Sequence, residues 1–260
     1  MTTIINDVTY DEQRKLKVDI YKPDNVSFSD KILLFWHGGG WFRGDKNSFK
    51  DLCQKISDHG FTVFAPNYSL APQYLFPAAH QDSINFVKWL MQSDFVINKK
   101  VNITQIGASS GGTMALNIAG KYGFPTVTWS APVSYSAWMK DHQNVTPAVD
   151  GHKELGLSNQ RDINNAFYKY FTLAYAGSED EKILKEIDAD SYDYSNLHQL
   201  LMINSADELS PIKYLLNFIN FLAHNNHAVD LKLIAGKRHA MTYANQYLEE
   251  SLAYLLNAVK

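Results

Sequence analysis

Val101-Asn102-Ile103-Thr104-Gln105-Ile106-Gly107-Ala108-Ser109-Ser110-Gly111-Gly112-Thr113-Met114 is the stretch on which the fold turns. Val101 to Ile106 reads as a strand, and from Ser110 to about Tyr122 the residues Met114, Leu116 and Ile118 mark a helix. Between them Gly107-Ala108-Ser109-Ser110-Gly111 fits G-x-S-x-G, a sharp strand-to-helix corner that exposes a serine hydroxyl. Glycine at both flanks removes side chains that would clash in so tight a bend. Taken alone the pattern also suits a Gly/Ser-rich loop or a phosphate-binding turn. A phosphate loop is disfavoured because no Gly-Lys-Ser/Thr ending follows.

The same strand-then-helix rhythm runs outward in both directions. Upstream, Leu16–Tyr21 alternates and stops at Pro23, while Lys31–Trp36 is a mostly continuous apolar run suited to a buried strand. A helix from about Asn47 to His59, a strand over Phe61–Ala65 and a helix over Ala78–Met91 come next. Downstream, Thr126–Val133 is extended. From about Ser136 to Asn196 no strand pattern occurs, only polar turns and amphipathic helical stretches, which predicts a helical cap inserted over the sheet. Alternation then resumes with a strand at Leu200–Ile203. Ser210-Pro211 reads as an N-cap with Pro at the first helical position, opening a helix to about His224. A last strand spans Val229–Ile234 and a last helix Met241–Val259. The expectation is one α/β domain over residues 1–260, a mostly parallel sheet of about eight strands flanked by helices.

Composition narrows the function classes. Of 260 residues, 24 are Lys or Arg and 27 Asp or Glu, so no basic excess exists to hold nucleic acid or an anionic membrane. The single cysteine, Cys53, has no partner for an intrachain disulfide or a zinc site. No metal-ligand spacing such as His-Glu-x-x-His occurs. Met1–Tyr10 is polar and no segment approaches the roughly 20 apolar residues of a membrane span, which predicts a cytoplasmic protein without stable membrane association.

A serine hydroxyl needs a base at neutral pH. Among nine histidines, His239 follows the last strand, in Gly236-Lys237-Arg238-His239. An acid must then hold the imidazole tautomer. Asp207, just past the Leu200–Ile203 strand, is the expected one, with Glu208 its close competitor. His37-Gly38-Gly39-Gly40 follows a buried strand. Its bare backbone N–H groups, two of them together with that of Ser110, can hold an oxyanion. His37 shapes this turn rather than acting as base. Trp41, beside the turn, is a candidate pocket residue.

These pieces together resemble the α/β-hydrolase superfamily, and more closely the esterases of the hormone-sensitive-lipase-like and bacterial carboxylesterase groups. The resemblance rests on Leu16–Tyr21 then Pro23, His37–Trp41 with Gly44-Asp45, Asn67–Pro72, Phe76-Pro77-Ala78 with Asp82, the Ser109 corner with Gly112, Asp207 with Pro211, and His239. It implies an α/β-hydrolase fold and a Ser109–Asp207–His239 triad. It also implies an oxyanion hole from Gly39, Gly40 and Ser110, and no cofactor or metal. The expected substrate is a small ester with a short acyl chain. An amide-type hydrolase, such as an arylformamidase or small peptidase, would use the same triad, and a non-catalytic receptor on this scaffold is the rival of another class. A homo-oligomer is compatible with the sequence. Three positions depart from the pattern. Ser69 stands where arginine is usual, which predicts a missing ion pair to the helix carrying Asp82. Ala108 stands for an acidic residue or histidine, and Ser110 for alanine.

Overall fold

In the computed structural model, residues 2–24, 30–96 and 101–258 are described. The strands are β1 (Thr2–Asp11), β2 (Leu16–Pro23), β3 (Lys31–Trp36), β4 (Thr62–Pro66), β5 (Asn102–Ala108), β6 (Thr126–Trp129), β7 (Leu200–Ser205) and β8 (Asp230–Ile234). They form one sheet in the order β1-β2-β4-β3-β5-β6-β7-β8. β1 and β2 are antiparallel to their neighbours, and every pairing from β4 to β8 is parallel.

The apolar run in β3 has a simple cause. Successive side chains of a strand point to opposite faces. Ile32, Leu34 and Trp36 join a core with helices α2 (Ala78–Gln92), α3 (Ser110–Tyr122) and α8 (Ile212–His224). Leu33 and Phe35 join a second core under α1 (Lys50–Asp58) and α9 (Met241–Ala258). A strand covered on both faces has no solvent side to carry polar residues. Leu34 is fully buried, so truncation to alanine would cost about 2–5 kcal/mol.

The connection from β6 to β7 carries α4 (Ser136–Asp141), α5 (Gly151–Leu155), α6 (Gln160–Ala176) and α7 (Glu181–Ile187). It is pinned at both ends by one buried carboxylate. Asp188 accepts from the Tyr135 N–H at 2.5 Å, the Ser136 N–H at 3.1 Å and the Ser136 hydroxyl. The long helix α6 lays Phe171 and Tyr175 against Trp41, tying this segment to the loop after β3.

Three local expectations shift. β1 was not foreseen, because its TTIINDVTYD sequence is polar and buries only Tyr10. It lies at the sheet edge, and Asp7 breaks its register with a left-handed φ of 58°. The helix expected to open at Pro211 opens at Ile212. Pro211 is still extended (ψ 134°), and the Ser210 hydroxyl donates to the Ser130 carbonyl at 3.0 Å instead of capping. The last helix runs to Ala258, and Val259 lies outside the described residues.

The ion pair expected to be missing at Ser69 is present in another form. Arg14, from the turn between β1 and β2, donates to Asp82 at 2.7 Å and to the Ser69 hydroxyl at 3.3 Å. Asp82 also accepts the Ser69 N–H at 2.8 Å and is fully buried. A short side chain at Ser69 leaves room for a guanidinium arriving from elsewhere in the chain.

Candidate active site

β3 and β5 are adjacent, with Trp36 paired to Gly107, so the loop after β3 and the corner after β5 emerge side by side. Ser109 sits at that corner with φ 51° and ψ −126°, a region that costs a non-glycine residue about 1–3 kcal/mol. Glycine is required around it by close approach. A Cβ on Gly111 would lie 2.2 Å from the Trp36 carbonyl oxygen, and one on Gly38 would lie 3.0 Å from the Ser109 Cβ. The two loops therefore touch through their backbones.

Three loops converge on the Ser109 hydroxyl. His239, in the loop between β8 and α9, places Nε2 at 2.9 Å from Ser109 Oγ. Its Nδ1 faces Glu208 Oε2 at 2.5 Å. The Glu208 side chain is fully buried, and its other oxygen accepts from the Ser205 N–H (2.8 Å), the Ser130 hydroxyl (2.8 Å) and the Asn204 amide (3.3 Å). A buried carboxylate with four partners on its two oxygens is held in one orientation. Ser130 also accepts the Ala240 N–H at 2.9 Å, so one hydroxyl locks the acid to the histidine loop. The Ser205 hydroxyl adds a second lock by donating to the Arg238 carbonyl at 2.5 Å.

The carboxylate that meets His239 is thus Glu208, one residue after the expected Asp207. Asp207 does not meet His239. Its N–H continues the β7–β8 pairing by donating to the Gly236 carbonyl at 3.1 Å, which turns its side chain outward. That side chain is half exposed, between Arg161 at 3.4 Å and Lys237 at 3.6 Å. Glu208 points inward, and its extra methylene spans the distance to the ring. The signals that could have chosen between the two, Ser130 and Asn204-Ser205, become donors only once β6 and β7 are paired.

The glycine loop expected to hold an oxyanion departs from expectation in one respect. Among the described residues, the N–H groups of Gly39 and Ser110 have no hydrogen-bond partner, whereas the Gly40 N–H donates to the Ser110 Oγ at 3.0 Å. His37 lies inside the turn. It is buried, stacks on Tyr68 with ring centroids 4.3 Å apart, and its Nδ1 faces the Gly38 carbonyl at 2.7 Å. Burial pushes its pKa down to about 4, against the raising effect of that hydrogen bond, so it stays neutral. Trp41, the candidate pocket residue, faces the core. It is fully buried and stacks on Tyr175 at 4.3 Å. Its left-handed φ of 59° swings the indole under the loop into the core.

Aromatic rings crowd one side of the oxyanion loop. A Cβ on Gly40 would lie 2.7 Å from that of Phe171, and Phe42 packs edge-on against Phe167 and Tyr170. On the acid side a cavity of about 660 Å³ opens between α6 and the loop after β7. Arg161, Asn164, Asn165, Asp207, Lys213 and Glu208 are in its wall. No cluster of three or more metal-ligating side chains occurs among the described residues, nor does any helix long and apolar enough to cross a membrane.

A sequence profile of the alpha/beta hydrolase fold matches residues 33–242. Ethyl acetate hydrolase of Pseudomonas putida is 34% identical over 108 residues, which make up 40% of this chain and 34% of that one. Gibberellin receptor GID1C of Arabidopsis thaliana is 30% identical over 133 residues, 44% of this chain and 39% of the receptor. The chain therefore matches only about a third to two fifths of the length of these relatives. Among solved structures, the Pyrobaculum calidifontis esterase superposes with a TM-score of 0.73 at 20% identity, covering 99% of this chain and 86% of that one.

Proposed function

Given that the chain belongs to the α/β-hydrolase fold family, we propose that it is a carboxylic ester hydrolase with Ser109 as nucleophile, His239 as base and Glu208 as the supporting acid. The observation that carries this reading is the unbroken relay from Ser109 Oγ to His239 Nε2 at 2.9 Å and from His239 Nδ1 to Glu208 at 2.5 Å. Ser109 attacks the ester carbonyl as His239 takes its proton, and Glu208 stabilises the imidazolium that forms. The tetrahedral oxyanion is held by backbone N–H groups of Gly39 and Ser110. His239 then protonates the departing alcohol, and water cleaves the acyl-enzyme by the same route.

The surroundings favour short acyl groups. Phe42, Phe167 and Phe171 fill the space beside the oxyanion loop where a long chain would lie. An ethyl acetate hydrolase among the relatives agrees with a small acyl group. The receptor among the relatives supports the rival reading, a non-catalytic binder. The intact relay speaks against it, because a receptor has no need of an activated hydroxyl. An amide hydrolase would use the same relay.

Labelling with a fluorophosphonate probe, followed by mass mapping, separates enzyme from binder: modification confined to Ser109 is expected, and an unlabelled protein would end the proposal. A series of p-nitrophenyl esters from acetate to dodecanoate should peak at two to four carbons; a maximum at long chains would overturn the short-acyl part alone.

A further inference from the structure

The usual alanine after the nucleophile is Ser110 here, and its hydroxyl is not idle. Ser110 is fully buried at the first position of α3. Its Oγ accepts the Gly40 N–H at 3.0 Å. Tyr68, itself buried, donates to the His37 carbonyl at 2.8 Å. Gly40 is thus tied to the nucleophile corner and His37 to the segment after β4, a chain of restraints at both ends of the loop.

The contrast within the loop gives this chain its meaning. Gly39 and Ser110 keep their N–H groups without partners among the described residues, as donors awaiting an anion would. Gly40, between the same walls, does not. A backbone donor already satisfied by a neutral hydroxyl gains less from an oxyanion than a free one, because the old bond must break first. The side chain occupying it belongs to the residue whose own N–H faces the anion, so donor and mask lie within a few ångströms of each other.

We infer that the Ser110 hydroxyl holds the Gly40 N–H out of the oxyanion hole, so that the enzyme works with two backbone donors and keeps a third in reserve. Ser110 acts here as a positioning residue through Gly40. It steadies the substrate-free loop at the expense of transition-state stabilisation. This inference rests on the acyl-transfer reading above.

The test is Ser110→Ala, which removes the mask and leaves the N–H of residue 110 in place. Removing one oxyanion donor from a serine hydrolase lowers kcat by about 10²–10³. Gaining one of imperfect alignment should raise kcat by roughly tenfold. KM for p-nitrophenyl acetate should stay within about twofold, and a small alkylboronic acid, which mimics the tetrahedral anion, should bind roughly tenfold tighter, following transition-state rather than ground-state affinity. Tm should fall by a few degrees as the loop loses its tie. Ser110→Cys, with a poorer acceptor, should fall between the two in kcat and boronate affinity. A merely structural serine would lose stability and kcat together. Unchanged or lower kcat with unchanged boronate affinity, in a variant whose circular dichroism matches the parent, would refute the inference. Failure of the parent protein itself to bind the boronate or to turn over any ester would instead overturn the hydrolase reading.

Discussion

Two adjacent carboxylates, Asp207 and Glu208, allow a decisive comparison through Glu208→Gln and Asp207→Asn. Glutamine keeps the size of Glu208 and can still present an oxygen to the three donors around Oε1, from Ser205, Ser130 and Asn204. Its amide nitrogen then replaces Oε2, 2.5 Å from His239 Nδ1 in the native protein. An N–H donor there forces Nδ1 to accept, which moves the ring proton to Nε2. That proton faces Ser109 Oγ across 2.9 Å and takes the place of the lone pair that would have received the serine proton, so Nε2 cannot act as the base. A tautomer reversal of this kind lowers kcat by about 10⁴, equivalent to about 5 kcal/mol at 1.36 kcal/mol per decade. Asp207→Asn weakens only exposed pairs at 3.4 and 3.6 Å. Such pairs contribute about 0–1 kcal/mol, so kcat should stay within about threefold. Steady-state kcat on p-nitrophenyl acetate, with far-ultraviolet circular dichroism to confirm folding, reads both. A thousandfold loss in Asp207→Asn beside a near-native Glu208→Gln would show that the resting geometry misassigns the acid.

Other expectations concern the nucleophile and the buried charges. Ser109→Ala should lose essentially all turnover and all fluorophosphonate labelling while its Tm stays within a few degrees of the parent; residual full activity would exclude Ser109 as nucleophile. Burial pushes His37 down to about 4 and His80 to about 3, so the unfolded chain takes up protons near pH 6.5 that the folded chain refuses. Stability should be flat above pH 7 and fall as pH drops from about 6.5 towards 4, by on the order of 1 kcal/mol per unit for each ring. Urea titrations at pH 7, 6 and 5 measure that slope, and a His80→Gln variant should flatten it; a stability rising with acid would contradict the buried neutral rings. Lys46→Met should cost about 3–5 kcal/mol, because Lys46 is the 2.8 Å partner of the buried Asp19. A midpoint unchanged in denaturant would show that Asp19 has enough other partners.

How far the sequence leads is clearest at the two ends of the relay. Ser109 and His239 are legible because each follows a strand that the alternation marks, although β6 and β7 lie between β5 and β8 and the loop after β8 reaches back to the serine. The acid is not fixed by the same means. The strand pattern stops at Ile203, and which of the residues beyond it turns inward depends on a backbone bond from Asp207 to the distant Gly236. Trp41 failed for a related reason: its left-handed backbone sends the ring inward, and nothing local announces that. Gly40 looked like a free donor because a motif records which backbone groups are bare, not which side chain arrives to meet them. The unforeseen β1 shows the reverse limit, since an edge strand with one buried residue leaves almost no hydrophobic period to read.

The guanidinium of Arg14 has a consequence for how the N-terminal hairpin should be regarded. Removing the first fifteen residues would trim what looks like an ornamental edge, yet it would strand the Asp82 carboxylate without its cation at the foot of α2. The segment carrying Ser69 and Tyr68 hangs from that same carboxylate, and Tyr68 steadies the His37 turn. A shortened chain would therefore loosen at its catalytic rim before its sheet came apart, so losses of turnover in such a variant would precede any visible loss of secondary structure.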